Sequence, residues 1–342
     1  MHAHSNPFNT KQPNHTLLSI VIPVYNEREV LPLCLERLNN VVKQLDINTE
    51  YLFIDDGSRD GSADFLSQQT NTPATIHVIR LSRNFGKEAA LSAGIDHASG
   101  DAVIVLDADL QDPPELIPEM LQQWQQGVDV VLMQRRTRAG ESWLKRCSAH
   151  LFYRLLQRLS HTQIPADTGD FRLMSRRAID ALKQLPERNR FMKGLFAWVG
   201  MPTTVLTYDR KPRAAGASKW DYLALFGLAC EGITSFSTNP LRWTMMVGLL
   251  ASLTGAVFGA WVVLKAVILS DPVAGYPSLI AIITFLGGMQ LLAIGIVGEY
   301  VGKTYIETKQ RPNYLIQDIT HRPNIITMQP TNRTEKQYAK TY

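Results

Sequence analysis

The stretch SIVIPVYNE, residues 19–27, decides the predicted fold, because an apolar run rich in Val and Ile passes directly into polar residues. Residues 18–23 are typical of a strand that is buried on both faces. The same pattern predicts four further strands, at 51–55, 76–81, 102–107 and 128–133. Helical periodicity fills the intervals, at 29–45, 62–69, 87–98 and 114–126. Strands that alternate with helices indicate an α/β fold with a doubly wound, mostly parallel sheet.

Acidic residues follow two of these strands, at the sheet edge where α/β proteins bind their ligands. Asp55 and Asp56 follow the second strand, and Asp107 and Asp109 follow the fourth. Side chains two positions apart in an extended segment point the same way, so Asp107 and Asp109 can face one hard cation. We therefore predict a Mg²⁺ or Mn²⁺ site at these two residues, completed by substrate phosphates. A D-x-D pair alone is a weak signal, and its position directly after a buried strand gives it weight.

Composition and turn chemistry exclude several classes of protein. The turn after the first strand, residues 23–27, has no GxGxxG element, which argues against a dinucleotide-dependent oxidoreductase. The chain carries 35 Lys and Arg against 31 Asp and Glu, and its formal net charge is +4. This mild excess fits a membrane surface or a phosphate-bearing substrate, and without a basic run it does not indicate nucleic acid. The three cysteines form no CxxC pair, which is typical of free thiols in a reducing compartment.

Two stretches without charged residues, 243–264 and 279–298, are each long enough to cross a bilayer as a helix. The alternative is a pair of buried core helices. Their small residues allow close helix packing, which is compatible with a homo-oligomer. Arg242 precedes the first stretch and basic residues follow the second, whereas the connecting segment 270–278 has none. The positive-inside rule then predicts a multi-pass protein of the inner (cytoplasmic) membrane, with its large N-terminal domain in the cytoplasm.

The motifs at the sheet edge resemble those of the family 2 glycosyltransferases, which have the GT-A fold. Residues 19–27 are similar to the family's opening strand, DDGS at 55–58 to its DDGS element, and DADLQ at 107–111 to its DxD element. Three later stretches resemble the polyprenyl-phosphate glycosyltransferases within that family: TGDFR at 168–172, RAAGASKW at 213–220 and GEYVG at 298–302. The bactoprenol glucosyltransferases of the GtrB type are the nearest subgroup, and the dolichyl-phosphate mannose synthases are more distant.

The resemblance implies inverting transfer of a hexose from a nucleotide-sugar to undecaprenyl or another polyprenyl phosphate, for modification of a cell-envelope glycan. Glucose and UDP are favoured, and transfer of mannose or aminoarabinose is the alternative. A catalytically silent membrane scaffold with the same fold is a second alternative. A processive polysaccharide synthase is disfavoured because the nearest match to its QxxRW motif, NPLRW at 239–243, lacks the Gln. A transporter is disfavoured because two spans alone offer no pathway.

The resemblance also implies roles for particular residues. The nucleotide-sugar would be bound by Pro23, Tyr25, Glu27, Asp56, Asp107 and Gln111. The metal would be held by Asp107 and Asp109, and the catalytic residues would be Asp109, Asp170, Arg213 and Lys219. Asp170 would face the acceptor and the anomeric carbon as a base, a metal ligand or an orienting group. Phosphate would be bound by Arg213, Ser218 and Lys219.

These inferences divide the chain into five predicted regions. They are a disordered leader at 1–16, a cytoplasmic GT-A domain at 17–220, a juxtamembrane amphipathic helix at 221–240, two transmembrane helices within 241–302 (about 243–265 and 279–299) and a cytoplasmic tail at 303–342. Within the GT-A domain, residues 141–159 combine apolar residues at helical spacing with several Lys and Arg. That pattern predicts either a helix lying on the membrane surface or a helix packed on the domain.

Overall fold

The computed structural model describes residues 16–136, 168–209, 234, 237–269 and 275–322. The predicted leader, the amphipathic helix at 141–159 and the RAAGASKW stretch lie outside the described residues. The predicted juxtamembrane helix at 221–240 lies mostly outside them as well.

The described strands form one mixed sheet in the order β7-β5-β6-β4-β1-β2-β3-β8. They are β1 (Leu17–Val24), β2 (Asn48–Asp55), β3 (Thr75–Leu81), β4 (Ala102–Val105), β5 (Val130–Arg135), β6 (Thr168–Ser175), β7 (Thr203–Tyr208) and β8 (Ile316–Arg322). The neighbours β3, β2, β1 and β4 are parallel, as are β5 and β7. In contrast, β6 runs antiparallel to β4 and β5, and β8 runs antiparallel to β3. The predicted α/β class with a GT-A sheet is confirmed.

The helices alternate with the strands in the N-terminal part of the chain and follow one another at its C-terminal end. They are α1 (Leu31–Val42), α2 (Ser62–Ser67), α3 (Lys87–His97), α4 (Ile117–Gln125), α5 (Arg176–Lys183), α6 (Met192–Trp198), α7 (Asn239–Leu269) and α8 (Tyr276–Lys309). A 3-10 turn at Pro114–Leu116 leads into α4. Its first residue is a proline, which fits a first turn because that turn has no intrahelical acceptor for the missing N–H.

The apolar core lies in two layers, one on each face of the sheet. Ile20 and Ile22 of β1 point into the layer that contains α1, and Val21 points into the layer that contains α3. All three are fully buried, as expected for a central parallel strand covered on both faces. A Cβ atom at Gly94 of α3 would lie 2.2 Å from Cγ1 of Val21. Glycine at this position therefore lets α3 pack directly on β1.

Helices α7 and α8 have 31 and 34 residues, so they are about 45 and 50 Å long at 1.5 Å per residue. Their most apolar segments, Asn239–Val262 and Phe285–Lys309, have mean hydropathies of 1.8 and 1.4, and neither segment is buried. Leu249 and Leu291, for example, are 71% and 73% exposed. The alternative of two core helices is therefore wrong for the described part of the chain, which leaves these apolar surfaces uncovered.

The sheet domain and the helical pair meet at a polar contact, which we call the hairpin joint (Glu307, Arg188, Asn189, Tyr314 and Asp96). The Glu307 carboxylate accepts hydrogen bonds from the backbone N–H of Arg188, at 2.9 and 3.0 Å, and of Asn189, at 2.9 Å. The Tyr314 hydroxyl donates to Asp96 Oδ2 at 2.9 Å. Beyond the joint, the chain forms β8 at the edge of the sheet. The region predicted as a polar tail thus begins as an integral part of the domain.

Candidate active site

The loops after β1 and β2 are joined by hydrogen bonds. Asn26, which follows β1 with a φ of 53°, donates its backbone N–H to Ser58 Oγ at 2.9 Å. The backbone N–H of Glu27 donates to Ser62 Oγ at 3.2 Å. This arrangement places Pro23 at the end of β1 and leaves the Tyr25 ring 41% exposed beside it. Nucleotide binding by Pro23, Tyr25 and Glu27 remains a prediction.

Asp56 holds together the loops that follow β2 and β3. Its carboxylate accepts hydrogen bonds from the backbone N–H groups of Phe85, at 2.7 Å, and Gly86, at 2.9 Å. Burial raises the pKa of Asp56, and these two hydrogen bonds partly offset that rise. At Gly57, where φ is 73°, a Cβ atom would lie 2.7 Å from the carbonyl carbon of Arg83. Asp56 therefore has a structural role, while its predicted contact with the nucleotide base remains a prediction.

An acid cluster of Asp107, Asp170 and Lys87 lies at this edge of the sheet. Asp107 follows β4, Asp170 belongs to β6, and Lys87 is the first residue of α3. Lys87 Nζ lies 2.7 Å from Asp107 Oδ1 and 2.6 Å from Asp170 Oδ2. The structure therefore brings together two predicted site residues through a lysine that sequence analysis did not single out. Its position directly after the RNFG loop that follows β3 is the signal that could have identified it.

The charges of the cluster depend on burial and on one another. Burial raises the pKa of Asp170, but the ammonium groups of Lys87 and Lys193 outweigh it and hold that pKa well below its usual range. Burial lowers the pKa of Lys87, but Asp107 and Asp170 outweigh it and raise that pKa above its usual range. The ion pair is thus charged at neutral pH. Burial, and then the Asp170 carboxylate, raise the pKa of the adjacent Glu88 to about 7.

Asp109 and Gln111 lie in the turn that follows Asp107. The backbone N–H of Gln111 donates to Asp109 Oδ1 at 3.1 Å, and Leu110 between them has a φ of 58°. The DADLQ stretch is therefore a tight turn and not an extended segment over its whole length. The predicted roles of Asp109 in metal binding and of Gln111 in the nucleotide pocket remain predictions.

Arg135 is a second cation that the sequence analysis missed. It is the last residue of β5, and its Nε donates to the Tyr208 hydroxyl at 3.4 Å. Its Nη2 lies 4.0 Å from Asp112 Oδ1, and a Cβ atom at Gly169 would lie 3.0 Å from Arg135 Nη2. Arg135 is thus adjacent to the residue before Asp170. An arginine at the carboxyl end of a sheet strand was the available signal.

The donor atoms at the acid cluster suit a hard divalent cation. Among the described residues, no group of three or more His, Cys, Asp or Glu side chains converges as a ready-made metal site. However, Asp170 Oδ1 is buried and accepts no hydrogen bond from any described group. Carboxylate oxygens are the ligands that Mg²⁺ prefers, with substrate phosphates and water completing its shell. Carboxylates at this edge therefore suit the predicted cation, and its binding by Asp107 and Asp109 remains a prediction.

The predicted phosphate-binding residues Arg213, Ser218 and Lys219 lie outside the described residues. Their distance from the acid cluster, and their predicted catalytic and phosphate-binding roles, therefore remain untested.

Two family models match the chain. One describes glycosyl transferase family 2 and matches residues 19–183, and the other describes the GtrB C-terminal hairpin and matches residues 239–304. The hairpin match coincides with α7 and most of α8. The two matches together cover the acid cluster and the helical pair within one chain.

Two curated proteins are similar over most of their length. The SfII prophage-derived bactoprenol glucosyl transferase of Shigella flexneri is 46% identical over 307 residues, which cover 90% of this chain and 99% of that protein. An uncharacterized glycosyltransferase of Synechocystis sp. is 48% identical over 302 residues, which cover 88% of this chain and 95% of that protein.

A solved structure overlaps the chain more loosely. Glucosyl-3-phosphoglycerate synthase from Mycobacterium tuberculosis, in complex with Mn²⁺, UDP and glucosyl-3-phosphoglycerate, is 16% identical with a TM-score of 0.42. The overlap covers 64% of this chain and 76% of that one. A similarity this distant carries no information about ligands of the present chain.

Proposed function

This chain belongs to glycosyl transferase family 2, and on that premise we propose that it transfers glucose from UDP-glucose to a polyprenyl phosphate such as undecaprenyl phosphate. The glucose donor and the polyprenyl acceptor are supported by the 46% identity to a bactoprenol glucosyl transferase over 99% of that protein. Transfer of mannose or aminoarabinose would use the same acid cluster, and no described contact favours either sugar over glucose.

The proposal rests mainly on one observation. The same chain contains the acid cluster and an apolar hairpin that the described residues leave uncovered. A nucleotide-sugar is soluble in water, whereas a polyprenyl phosphate is held in the bilayer by its hydrocarbon tail. An enzyme that joins them must place its site within reach of the membrane. The hairpin joint supports such an arrangement, because Glu307 of α8 binds the backbone of residues 188 and 189 close to α3.

Binding of the donor is proposed for the residues around the ends of β1, β2 and β4. Pro23, Tyr25 and Glu27 would contact base and ribose, and Asp56 would accept from the base edge. Gln111 would line the same pocket. Asp107 and Asp109 would hold Mg²⁺ or Mn²⁺ against the diphosphate, and the ion would supply neutralisation of the charge that develops on the leaving UDP.

The acceptor phosphate needs little help from a base, because a phosphate monoester is largely ionised near neutral pH. In the transfer, an acceptor oxygen forms a bond to C1 of glucose while the bond from C1 to the diphosphate oxygen breaks, and UDP departs with that electron pair. Asp170 is paired with Lys87, so we assign it an orienting role in preference to that of a base. Arg213, Ser218 and Lys219 are proposed to bind phosphate and reduce the repulsion between the two anionic substrates.

We also propose that the catalytic domain faces the cytoplasm from the inner membrane. Arg242 lies in the first turn of α7, and Lys303 and Lys309 lie in the last turns of α8. Basic residues at both outer ends of the hairpin support a cytoplasmic location for those ends under the positive-inside rule.

The test is transfer of radiolabelled glucose from UDP-glucose to undecaprenyl phosphate by the full-length protein in detergent, with and without Mn²⁺ or Mg²⁺. We expect a lipid-extractable product that requires the metal and falls about 100-fold or more in Asp109→Ala, because a charge-stabilising group is lost. Asp46→Ala is the matched control, because Asp46 is exposed and lies before β2, away from the carboxyl ends of the strands. It should retain full activity.

Two results would contradict the proposal. A folded wild-type protein that forms no lipid-linked product from UDP-glucose, but does from another nucleotide-sugar, would reassign the sugar. A protein that forms none from any nucleotide-sugar offered would favour the catalytically silent scaffold.

A further inference from the structure

A cavity of about 260 Å³ adjoins the acid cluster, and the proposed function assigns nothing to it. We call it the α3 cavity. Its walls include residues from the start of α3, from the loop before α6 and from the segment after α8; those used below are Phe85, Lys87, Glu88, Asn189, Arg190 and Asn313. Lys87 belongs to both sites, because its ammonium pairs with Asp107 and Asp170 while its side chain lines the cavity.

The size of the α3 cavity limits what it can hold. Pockets for whole drug-sized ligands are roughly 300–1,000 Å³. A cavity of about 260 Å³ therefore suits one part of a nucleotide-sugar, either a single sugar ring or a phosphate group. Because Lys87 lines the cavity and touches Asp107, a group in the cavity lies within one side chain of the proposed diphosphate site.

The chemistry of the lining favours a sugar. Glu88 Oε2 accepts a hydrogen bond from the backbone N–H of Met192 at 2.9 Å, which fixes the orientation of this carboxyl group. The amides of Asn189 and Asn313 can each donate and accept, as sugar hydroxyls also can. Phe85 is an aromatic residue of the wall, and the guanidinium carbon of Arg83 lies 4.1 Å from the centroid of its ring.

Three cationic residues line the cavity, Lys87, Arg188 and Arg190, and two of them are engaged by groups of the protein as follows. Lys87 pairs with Asp107 and Asp170, at 2.7 and 2.6 Å. The Arg190 guanidinium donates to two backbone carbonyl oxygens, those of Glu187 at 3.1 Å and Leu185 at 3.2 Å. Phosphate sites rely on charge-assisted hydrogen bonds from such groups. The commitment of Lys87 and Arg190 elsewhere reduces the positive charge that an anion in this cavity could use.

We propose that the α3 cavity binds the hexosyl ring of the donor, with Glu88, Asn189 and Asn313 as partners of its hydroxyl groups. The inference rests on the proposed function, because it takes a nucleotide-sugar as the substrate. It assigns the choice of sugar to residues from three distant parts of the chain. The nucleotide itself would be bound elsewhere, at the ends of β1, β2 and β4.

The experiment compares the dissociation constants of UDP and UDP-glucose by calorimetric titration of the full-length protein in detergent with Mn²⁺. Glu88→Gln is informative because a Gln oxygen can still accept from Met192. We expect it to weaken UDP-glucose binding about tenfold, since a hydrogen bond between a sugar hydroxyl and the Glu88 carboxyl group is weakened. Asn313→Ala should weaken it about fivefold. The UDP dissociation constant should stay within twofold of wild type in both variants.

Two exposed residues of α1 supply matched controls: Glu36→Gln and Asn40→Ala remove the same chemical groups outside the cavity. Both should bind UDP-glucose as wild type does. If Glu88→Gln lowers the unfolding temperature, Asn313→Ala carries the comparison, because Asn313 lies in the segment after α8 and outside the core.

Three outcomes would overturn the inference. Equal weakening of UDP and UDP-glucose would assign the cavity to the nucleotide or to folding. Unchanged UDP-glucose binding with a raised KM for undecaprenyl phosphate would assign it to the acceptor phosphate. If the dissociation constants and the KM all remain unchanged, the α3 cavity is not part of the substrate-binding site. In contrast, a wild-type protein that binds UDP-glucose tightly but transfers no glucose to lipid would contradict the proposed function and leave the hexose inference standing.

Discussion

The sheet and the helical hairpin contain similar apolar residues, but the sheet buries them and the hairpin exposes them. Phe53 in β2 is fully buried, whereas Phe285 in α8 is 65% exposed. Ile22 in β1 is fully buried, whereas Leu291 in α8 is 73% exposed. The catalytic domain buries its own apolar surface, whereas the hairpin leaves its apolar surface uncovered by the described part of the chain, and its helices are long enough to cross a bilayer. Apolar composition alone therefore does not distinguish a protein core from an exposed apolar hairpin, whereas the burial of the side chains does.

The largest loss of stability should come from truncating a buried side chain in the core of the sheet domain. Phe53→Ala should lower the free energy of unfolding by about 3–5 kcal/mol, because it removes a fully buried ring that packs edge-on against Tyr51. Phe285→Ala is the matched control in the hairpin and should change it by less than about 0.5 kcal/mol. Thermal and urea unfolding in detergent, followed by circular dichroism, measure both. Equal losses would mean that the hairpin is packed against protein, and the contrast between the two regions would fail.

The second effect tests the hairpin joint, where the two regions meet. Glu307→Ala should lower the free energy of unfolding by about 1–3 kcal/mol, because the backbone N–H groups of Arg188 and Asn189 lose their acceptor. Glu307→Gln keeps an acceptor oxygen and should lower the free energy of unfolding by a smaller amount. Hydrogen exchange at residues 188 and 189 measures the effect locally. Unchanged exchange in Glu307→Ala would show that the joint does not hold the two regions together.

The smallest loss of stability is expected from mild acid, and it should be confined to the catalytic domain. Burial raises the pKa of Glu50, but hydrogen bonds from His77, Ser19 and Ser99 outweigh it and lower that pKa to about 2. A carboxyl group whose pKa is lower in the folded state contributes stability above its unfolded pKa of about 4.5. That contribution is lost as the pH falls towards 2.

The unfolding temperature of the wild-type domain should therefore decrease between about pH 5 and pH 3. Glu50→Gln should be less stable at pH 7 and should show a smaller decrease over the same range. Differential scanning calorimetry measures both proteins. Parallel pH profiles would exclude Glu50 as a source of the acid sensitivity.

Much of this architecture could be predicted because it is encoded locally. The strands β1 to β5 appear as short apolar runs, and the residues after them mark the ligand edge. The antiparallel strands β6 and β8 were not predicted. The stretch TGDFRLMS, residues 168–175, has polar residues in the strand, and residues 316–322 are mostly polar. Strands of this kind are defined by their partners, since β8 pairs with β3 across more than 200 residues of chain.

The residues of the candidate site also fall into two groups, those that a local motif identifies and those that only the fold brings together. Asp107, Asp109 and Asp170 were identified from motifs because each lies in a short stretch with a recognisable pattern. Lys87 and Arg135 were not, because a single basic residue after a strand has no distinctive local signature. Their importance appears only when the fold places Lys87 Nζ between two carboxylates and Arg135 beside Gly169.

The sequence by itself thus determined the family, the candidate acidic residues and the two uncharged stretches of the hairpin, since each depends on residues close together along the chain. Tertiary structure decided which groups meet. It placed Lys87 between Asp107 and Asp170, bound Glu307 to the backbone of Arg188 at a separation of 119 residues, and closed the α3 cavity with Asn313. Such contacts depend on the path of the whole chain, so no local pattern encodes them.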